Sequence, residues 1–132
     1  EMQSRIDNAI IVATYQDGTS DTLRLENPTN WCPIEQDYYL DGLAFTAATK
    51  RPYRVHLGSG TVSRHLAPIV GICDWDGKPR QDLDSAEPQI IPNGATQMLK
   101  MPLNPNKALR ELQLRTLSND VITGLMGMTL EQ

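Results

Sequence analysis

The chain has 132 residues, and its 12 basic and 16 acidic side chains give a formal net charge of −4. This length fits one domain with one hydrophobic core. A net acidic chain lacks the basic face that nucleic-acid phosphates and anionic membrane surfaces require, so neither is an expected partner. No apolar run approaches the roughly 18–20 residues of a membrane span, so no membrane span is expected.

The first two predicted strands form a β-hairpin. Residues 8–15 are rich in β-branched side chains, which favours a strand. Asp17-Gly18 follows, a turn signal in which glycine supplies a positive φ at no steric cost. In residues 20–27, Leu23 and Leu25 alternate with polar side chains, as in a strand with one buried face. Pro28 ends this strand because proline cannot donate to a sheet.

The middle of the chain reads as short strands separated by turns. Residues 31–40 read as an aromatic-rich loop or irregular edge, and residues 43–48 as a short strand, with a short helical turn as the alternative. Strands are predicted over residues 52–57, 61–64 and 69–75, with breaks at residues 58–60 and a turn at residues 76–79. Residues 80–94 are polar and contain two prolines, which favours a long loop.

The C-terminal third is regular again. Strands are predicted over residues 95–103, 109–117 and 121–130, separated by turns at residues 104–107 and 118–120. Leu112 and Leu114 point to one side of the second of these strands, although its charge pattern would also suit a helix. The last strand is apolar on both faces, which is typical of a central strand or of one covered by a neighbouring domain.

About eight short strands with frequent turns predict an all-β fold, an antiparallel β-sandwich that is jelly-roll-like. We expect residues 1–132 to form a single β-sandwich domain. The chain opens with Glu1-Met2 and enters a strand-like run almost at once, so we expect it to be a fragment of a larger multidomain protein.

No complete catalytic set is visible in the sequence. Gly58-Ser59-Gly60 resembles a nucleophile elbow only superficially, because no helix pattern follows it, and a loop is the favoured interpretation. Cys32 and Cys73 either form a disulfide or are two buried thiols, and their spacing does not match a zinc site. We therefore expect that this chain is not itself an enzyme.

One loop offers carboxylates for a structural calcium ion, which prefers several oxygen ligands on one loop. The candidate ligands are Asp74, Asp76, Asp82 and Asp84. The spacing of an EF-hand is not met, and the alternative is an ordinary Asp-Gly hairpin turn. No other cofactor is expected.

A few aromatic residues are candidates for carbohydrate binding. Aromatic faces pack against the C–H surfaces of sugars, and neighbouring acids or amides bond to the hydroxyl groups. The candidate residues are Trp31, Asp37, Tyr38, Tyr39 and Trp75. The alternative is that the two tryptophans fill the core or pack against a neighbouring domain.

Two stretches resemble β-sandwich segments of large secreted bacterial glycoside-hydrolase-like proteins. They are residues 13–31, ATYQDGTSDTLRLENPTNW, and residues 112–130, LQLRTLSNDVITGLMGMTL, about a third of the chain. The resemblance implies an accessory, often jelly-roll-like domain attached to an (α/α)-barrel catalytic domain, in a periplasmic or secreted protein that acts on polysaccharide. It transfers no catalytic residue to this chain.

Three functions remain open at this point. The first is a non-catalytic accessory β-sandwich domain of a secreted carbohydrate-active protein, whose partner is a neighbouring catalytic domain of the same polypeptide. The second is a carbohydrate-binding module with an aromatic surface platform that binds polysaccharide. The third is a structural or protein-interaction domain, which an exposed apolar patch around the last strand would favour.

Overall fold

The computed structural model of the protein describes residues 6–27, 29–36, 50–74, 76–80, 90–119 and 122–131. The chain divides into two compact units. The terminal unit contains Asp7–Leu25 and Met101–Gln132, and the central unit contains Glu1–Ile6 and Glu26–Lys100.

Antiparallel strands dominate the described residues, and one helical turn accompanies them. The elements are β1 (Ile6–Tyr15), β2 (Ser20–Asn27), β3 (Tyr53–His56), β4 (Val62–Ser63), α1 (Ala67–Val70), β5 (Ile72–Cys73), β6 (Pro79–Arg80), β7 (Ala95–Met98) and β8 (Leu109–Thr116). The predicted all-β class is therefore confirmed. In this described part of the chain, no helix is long and apolar enough to cross a membrane.

A three-stranded sheet has the order β2-β1-β8. The predicted hairpin at its start is confirmed: Tyr15 N donates to Thr19 O at 2.9 Å, and Gly18 has a φ of 86°. The strand prediction for residues 109–117 is also confirmed, since β8 pairs antiparallel with β1. Leu112 and Leu114 are half-buried between exposed neighbours, as the alternation of the sequence predicts.

A carboxylate organises the β1–β2 turn. Asp17 Oδ1 accepts hydrogen bonds from Thr19 Oγ1 at 2.5 Å and from Thr19 N at 2.9 Å, and Lys107 Nζ lies 3.2 Å from Asp17 Oδ2. These hydrogen bonds, and then the charge of Lys107, favour the ionised carboxylate and lower the pKa of Asp17 from 3.8 to about 2.

The central unit contains a second three-stranded sheet, with the order β4-β3-β7. In it, Arg54 lies opposite Gln97 and His56 lies opposite Ala95. Leu66, Ile91 and Ala95 are each at most 2% exposed and form the core cluster of this unit. β5 and β6 form a separate two-stranded ribbon.

The predicted strand over residues 69–75 is wrong in its first half. Residues 67–70 form α1, with Pro68 in the first turn, where proline's missing N–H has no intrahelical partner to lose. Gly71, at a φ of 81°, ends the helical turn, and β5 covers only Ile72 and Cys73. The predicted strand over residues 95–103 is shorter than expected, because β7 ends at Met98.

The predicted strand over residues 121–130 is wrong for the residues described there, because residues 122–131 contain no strand. The apolar side chains of this segment are exposed to solvent and do not lie in the centre of a sheet. The side chains that are at least 56% exposed are Ile122, Leu125, Met126, Met128 and Leu130. The predicted strand over residues 43–48 lies outside the described residues.

The β1–β2 turn gives a pH-dependent prediction. The pKa of Asp17 is depressed in the folded chain, so its ionised form contributes stability above pH 3.8, and this contribution is lost as the pH falls toward 2. We expect an NMR titration of the Asp17 carboxyl to give a midpoint of about 2. Thr19→Val removes the hydroxyl donor and should move the midpoint upward, toward 3.8. An unchanged midpoint in this variant would contradict the assigned cause.

Candidate functional site

The aromatic platform predicted from the sequence is described only at Trp31. This side chain is half-buried in the irregular segment that follows β2. The other candidates lie outside the described residues; they are Asp37, Tyr38, Tyr39 and Trp75. Carbohydrate binding by this set therefore stays a prediction.

Two of the calcium candidates belong to the β5–β6 hairpin. Its turn is closed by a hydrogen bond from Asp74 N to Lys78 O at 2.9 Å. Asp74 Oδ1 lies 3.2 Å from Arg80 Nε, and Asp76 Oδ2 lies 3.7 Å from Lys78 Nζ. The remaining candidates lie outside the described residues; they are Asp82 and Asp84. Among the residues that are described, no group of three or more His, Cys, Asp or Glu could hold a metal ion.

Both cysteines are buried, and no disulfide joins them. Gln97 Nε2 donates to Cys32 Sγ at 2.7 Å, and Cys32 Sγ donates to Gln36 O at 3.8 Å. Burial, followed by the negative charges of Asp74 and Asp76, raises the pKa of the Cys73 thiol. A protonated buried thiol is a poor nucleophile, so Cys73 behaves as a small core residue.

Arg54 is a buried residue that stabilises the central unit, and the sequence patterns did not identify it. It lies on β3, is 2% exposed, and points its guanidinium at backbone carbonyls. Nη1 donates to Gln36 O at 2.8 Å, and Nη2 donates to Ala95 O at 2.8 Å. Nη2 also lies 3.3 Å from Pro33 O and 3.4 Å from Ile34 O. One side chain therefore holds the segment at residues 33–36 against β3 and β7.

The same segment is joined to the chain around residues 90–95 by backbone hydrogen bonds. Ala95 N donates to Ile34 O at 2.7 Å, and Ile91 N donates to Glu35 O at 2.7 Å. Glycine at position 94 allows this close contact, because a Cβ there would lie 3.1 Å from Ile34 O. Its φ of 76° also favours glycine.

A cleft of about 430 Å³ lies beside these contacts in the central unit. Its lining is mostly apolar with a few polar groups, and it is widely open to solvent. The residues that give it this character are Ile34, Ile90, Pro92, Glu35, Asp74 and Asn93. The carboxylates of Glu35 and of Asp74, which is one of the calcium candidates, thus line the same cleft.

The turn between β3 and β4 pairs a serine with a histidine. Ser59 Oγ lies 2.8 Å from His56 Nδ1, and His56 Nε2 lies 2.6 Å from Pro92 O. His56 is 6% exposed, whereas Ser59 is exposed. The sequence predicted a break at Gly58-Ser59-Gly60 and did not pair it with the histidine. The available signal was the spacing, because a tight turn brings residues three positions apart together.

Arg54 gives the prediction for this region. Arg54→Met keeps the aliphatic volume and leaves the buried carbonyl oxygens without their donor, so we expect the free energy of unfolding to fall by about 3 kcal/mol. Urea unfolding measures this loss. The control is Arg64→Met, because Arg64 is exposed and packs 4.3 Å from the centroid of the Tyr53 ring; its expected loss is within about 1 kcal/mol. Equal losses in both variants would contradict the anchoring role of Arg54.

Comparison with known proteins finds no match for this chain. No family model matches the chain, and neither a curated protein nor a solved structure matches it.

Proposed function

We propose that the chain is an accessory β-sandwich domain of a secreted or periplasmic carbohydrate-active protein, and that it docks on a neighbouring domain of the same polypeptide. Residues 122–130, the docking segment, make this contact. The sandwich, jelly-roll-like arrangement and the glycoside-hydrolase-like parent are parts of the proposal. In this role the chain cleaves no glycosidic bond.

The exposed docking segment is the observation that carries the docking part of the proposal, which an accessory domain shares with the protein-interaction alternative. Ile122 is 97% exposed, and the remaining large apolar side chains of the segment are between 56% and 63% exposed. The segment contains no charged residue. Several large apolar side chains exposed in one uncharged segment favour an interaction site, because their burial is favourable by about 25 cal/mol per Å².

The backbone of the docking segment is available for pairing as well. None of the strands in the described residues includes any part of residues 122–131. An apolar segment that belongs to no sheet suits the addition of a strand to the edge of another sheet. Docking then buries the apolar side chains and, at the same time, provides hydrogen-bond partners for the backbone N–H and C=O groups.

The parent protein is inferred from the resemblance of residues 13–31 and 112–130 to accessory sandwiches of glycoside-hydrolase-like proteins. The second stretch contains most of β8 and the whole docking segment. One of the two stretches that carry the resemblance is thus also the stretch that exposes apolar side chains. This coincidence supports a docking function in that setting.

The docking segment is tested with the double variant Leu125→Ser, Met128→Ser. In the isolated chain we expect its free energy of unfolding to change by less than about 0.5 kcal/mol, because both side chains are already exposed. In the natural polypeptide that contains this chain, the same variant should lower the melting temperature of the domain. Ile69→Ser is the matched control, because Ile69 is 59% exposed but lies in α1. It should change neither the free energy of unfolding of the isolated chain nor the melting temperature in the natural polypeptide.

Two results would contradict the proposal. The first is a double variant that has the same small effect in the isolated chain and in the natural polypeptide, since docking would then contribute nothing. The second is the release of reducing sugar from a panel of polysaccharides by the isolated chain.

Carbohydrate binding is a second candidate, and the cleft in the central unit favours it. Its volume of about 430 Å³ is within the range of small-ligand sites. Glu35, Asp74 and Asn93 bring carboxylate and amide groups to its lining, and these groups bond to hydroxyls.

Calorimetric titration of the chain with soluble oligosaccharides tests this candidate. Glu35→Ala should weaken any binding at the cleft by about tenfold, the effect of losing one hydrogen bond to a charged group. The control is Glu111→Ala, because Glu111 is exposed on β8 of the terminal unit. The absence of heat with every oligosaccharide, or equal weakening in both variants, would exclude the cleft as a sugar site.

A further inference from the structure

The turn between β3 and β4 holds three groups in the order that nucleophilic catalysis uses. Ser59 Oγ lies 2.8 Å from His56 Nδ1, and the other imidazole nitrogen lies 2.6 Å from the carbonyl oxygen of Pro92. A nucleophile in hydrogen-bond reach of a base, with the base oriented by a third group, is the diagnostic arrangement of an activated serine.

The carbonyl of Pro92 fixes where the protons are. A carbonyl oxygen only accepts, so His56 Nε2 carries the hydrogen and donates it. In the neutral imidazole, Nδ1 then has a lone pair, and Ser59 Oγ donates its hydroxyl proton to it. The serine proton therefore already points at the base.

The oxygen of Ser59 receives further hydrogen bonds. Because the one hydroxyl proton of Ser59 is directed at His56, Thr61 Oγ1, which lies 2.8 Å away, is the donor in its contact with Ser59 Oγ, and Thr61 N donates to the same oxygen at 3.3 Å. Donors on an oxygen that is losing its proton stabilise the negative charge that develops there.

Glycines flank the serine on both sides and keep it open. A Cβ at Gly60 would meet nothing within 4 Å, so the space beside this residue is open. At Gly58 a Cβ would lie 3.1 Å from His56 Cε1, a tight contact, and 2.8 Å from Asn93 Nδ2, so glycine favours the close approach of the imidazole. The buried imidazole, 6% exposed, is thus held against an exposed hydroxyl.

We propose that Ser59 is a nucleophilic serine that accepts an acyl group from small esters, with His56 as its general base. Ser59 Oγ forms a bond to the carbonyl carbon of the ester as its proton moves to His56 Nδ1. The bond from that carbon to the leaving oxygen then breaks, and the leaving alcohol takes the proton from His56. The products are an acyl-serine and a free alcohol. This reactivity is independent of the proposed docking function.

A nearby pair provides an internal comparison. Ser63 and His65 are also close in the sequence, but Ser63 Oγ accepts from the backbone N of His65 at 3.0 Å. The His65 ring contacts Arg51 Nη1 at 2.9 Å instead. A serine near a histidine is therefore not enough; the contact with the imidazole distinguishes Ser59.

The test is acylation of the full chain by p-nitrophenyl acetate, followed by peptide mass spectrometry. We expect one acetyl group on the peptide that contains Ser59 and a matching release of nitrophenol. Ser59→Ala should abolish both signals, and Ser63→Ala should leave them unchanged. His56→Gln should slow acylation by about a hundredfold, the lower range of a general-base effect.

His56 is buried, so its replacement also risks the fold, and a second variant separates the two effects. Ser59→Cys places a thiol beside the imidazole, and we expect iodoacetamide to alkylate it at least about tenfold faster than the thiol of Ser63→Cys. Equal alkylation rates for the two thiols, or acetylation distributed over surface lysines with none on Ser59, would overturn the proposal.

Discussion

The guanidinium of Arg54 is buried among backbone carbonyls, and the geometry of the central unit depends on this contact. Burial of a charge is costly unless hydrogen bonds replace the water it loses. Here carbonyl oxygens of residues 33–36 and of β7 supply them, and Nε keeps no partner within the described part of the chain. An arginine fulfils this role because its planar fork donates in several fixed directions at once.

The cleft and the Ser59 turn both contact segments whose positions depend on Arg54. Arg54 holds residues 33–36, and this segment bonds through Ile34 to Ala95 and through Glu35 to Ile91. The tight turn between Ile91 and Ala95 presents Pro92, whose carbonyl oxygen orients His56. The position of an exposed serine is thus linked to a buried arginine through a series of short hydrogen bonds within one unit.

The terminal unit has a different character. Its sheet is secured by the β1–β2 turn and by the phenol of Tyr15, which donates to Asp21 at 2.6 Å and accepts from Asn104 N at 2.8 Å. Its docking segment, in contrast, leaves large apolar side chains in water. Exposed apolar side chains of this kind are suited to an interaction surface.

The local parts of the fold were predictable because neighbours in the sequence decide them. The Asp17-Gly18 turn and the alternation in β8 follow from backbone sterics and from the period of a strand. The error at residues 121–130 has the same origin. Apolar composition predicts burial, but it does not say whether the covering surface belongs to the same chain. The helical turn at α1 was missed because a run of four residues is too short to show a helical period.

The sequence by itself determined an acidic, all-β chain with a hairpin at its start and alternating strands. Only the tertiary structure decided the contacts of Arg54, the cleft, and the third member of the Ser59 arrangement. The physical reason is separation along the chain: Arg54 and Ala95 are 41 positions apart, and His56 and Pro92 are 36 apart. Local propensity acts over a few residues, so contacts across such distances are set by packing.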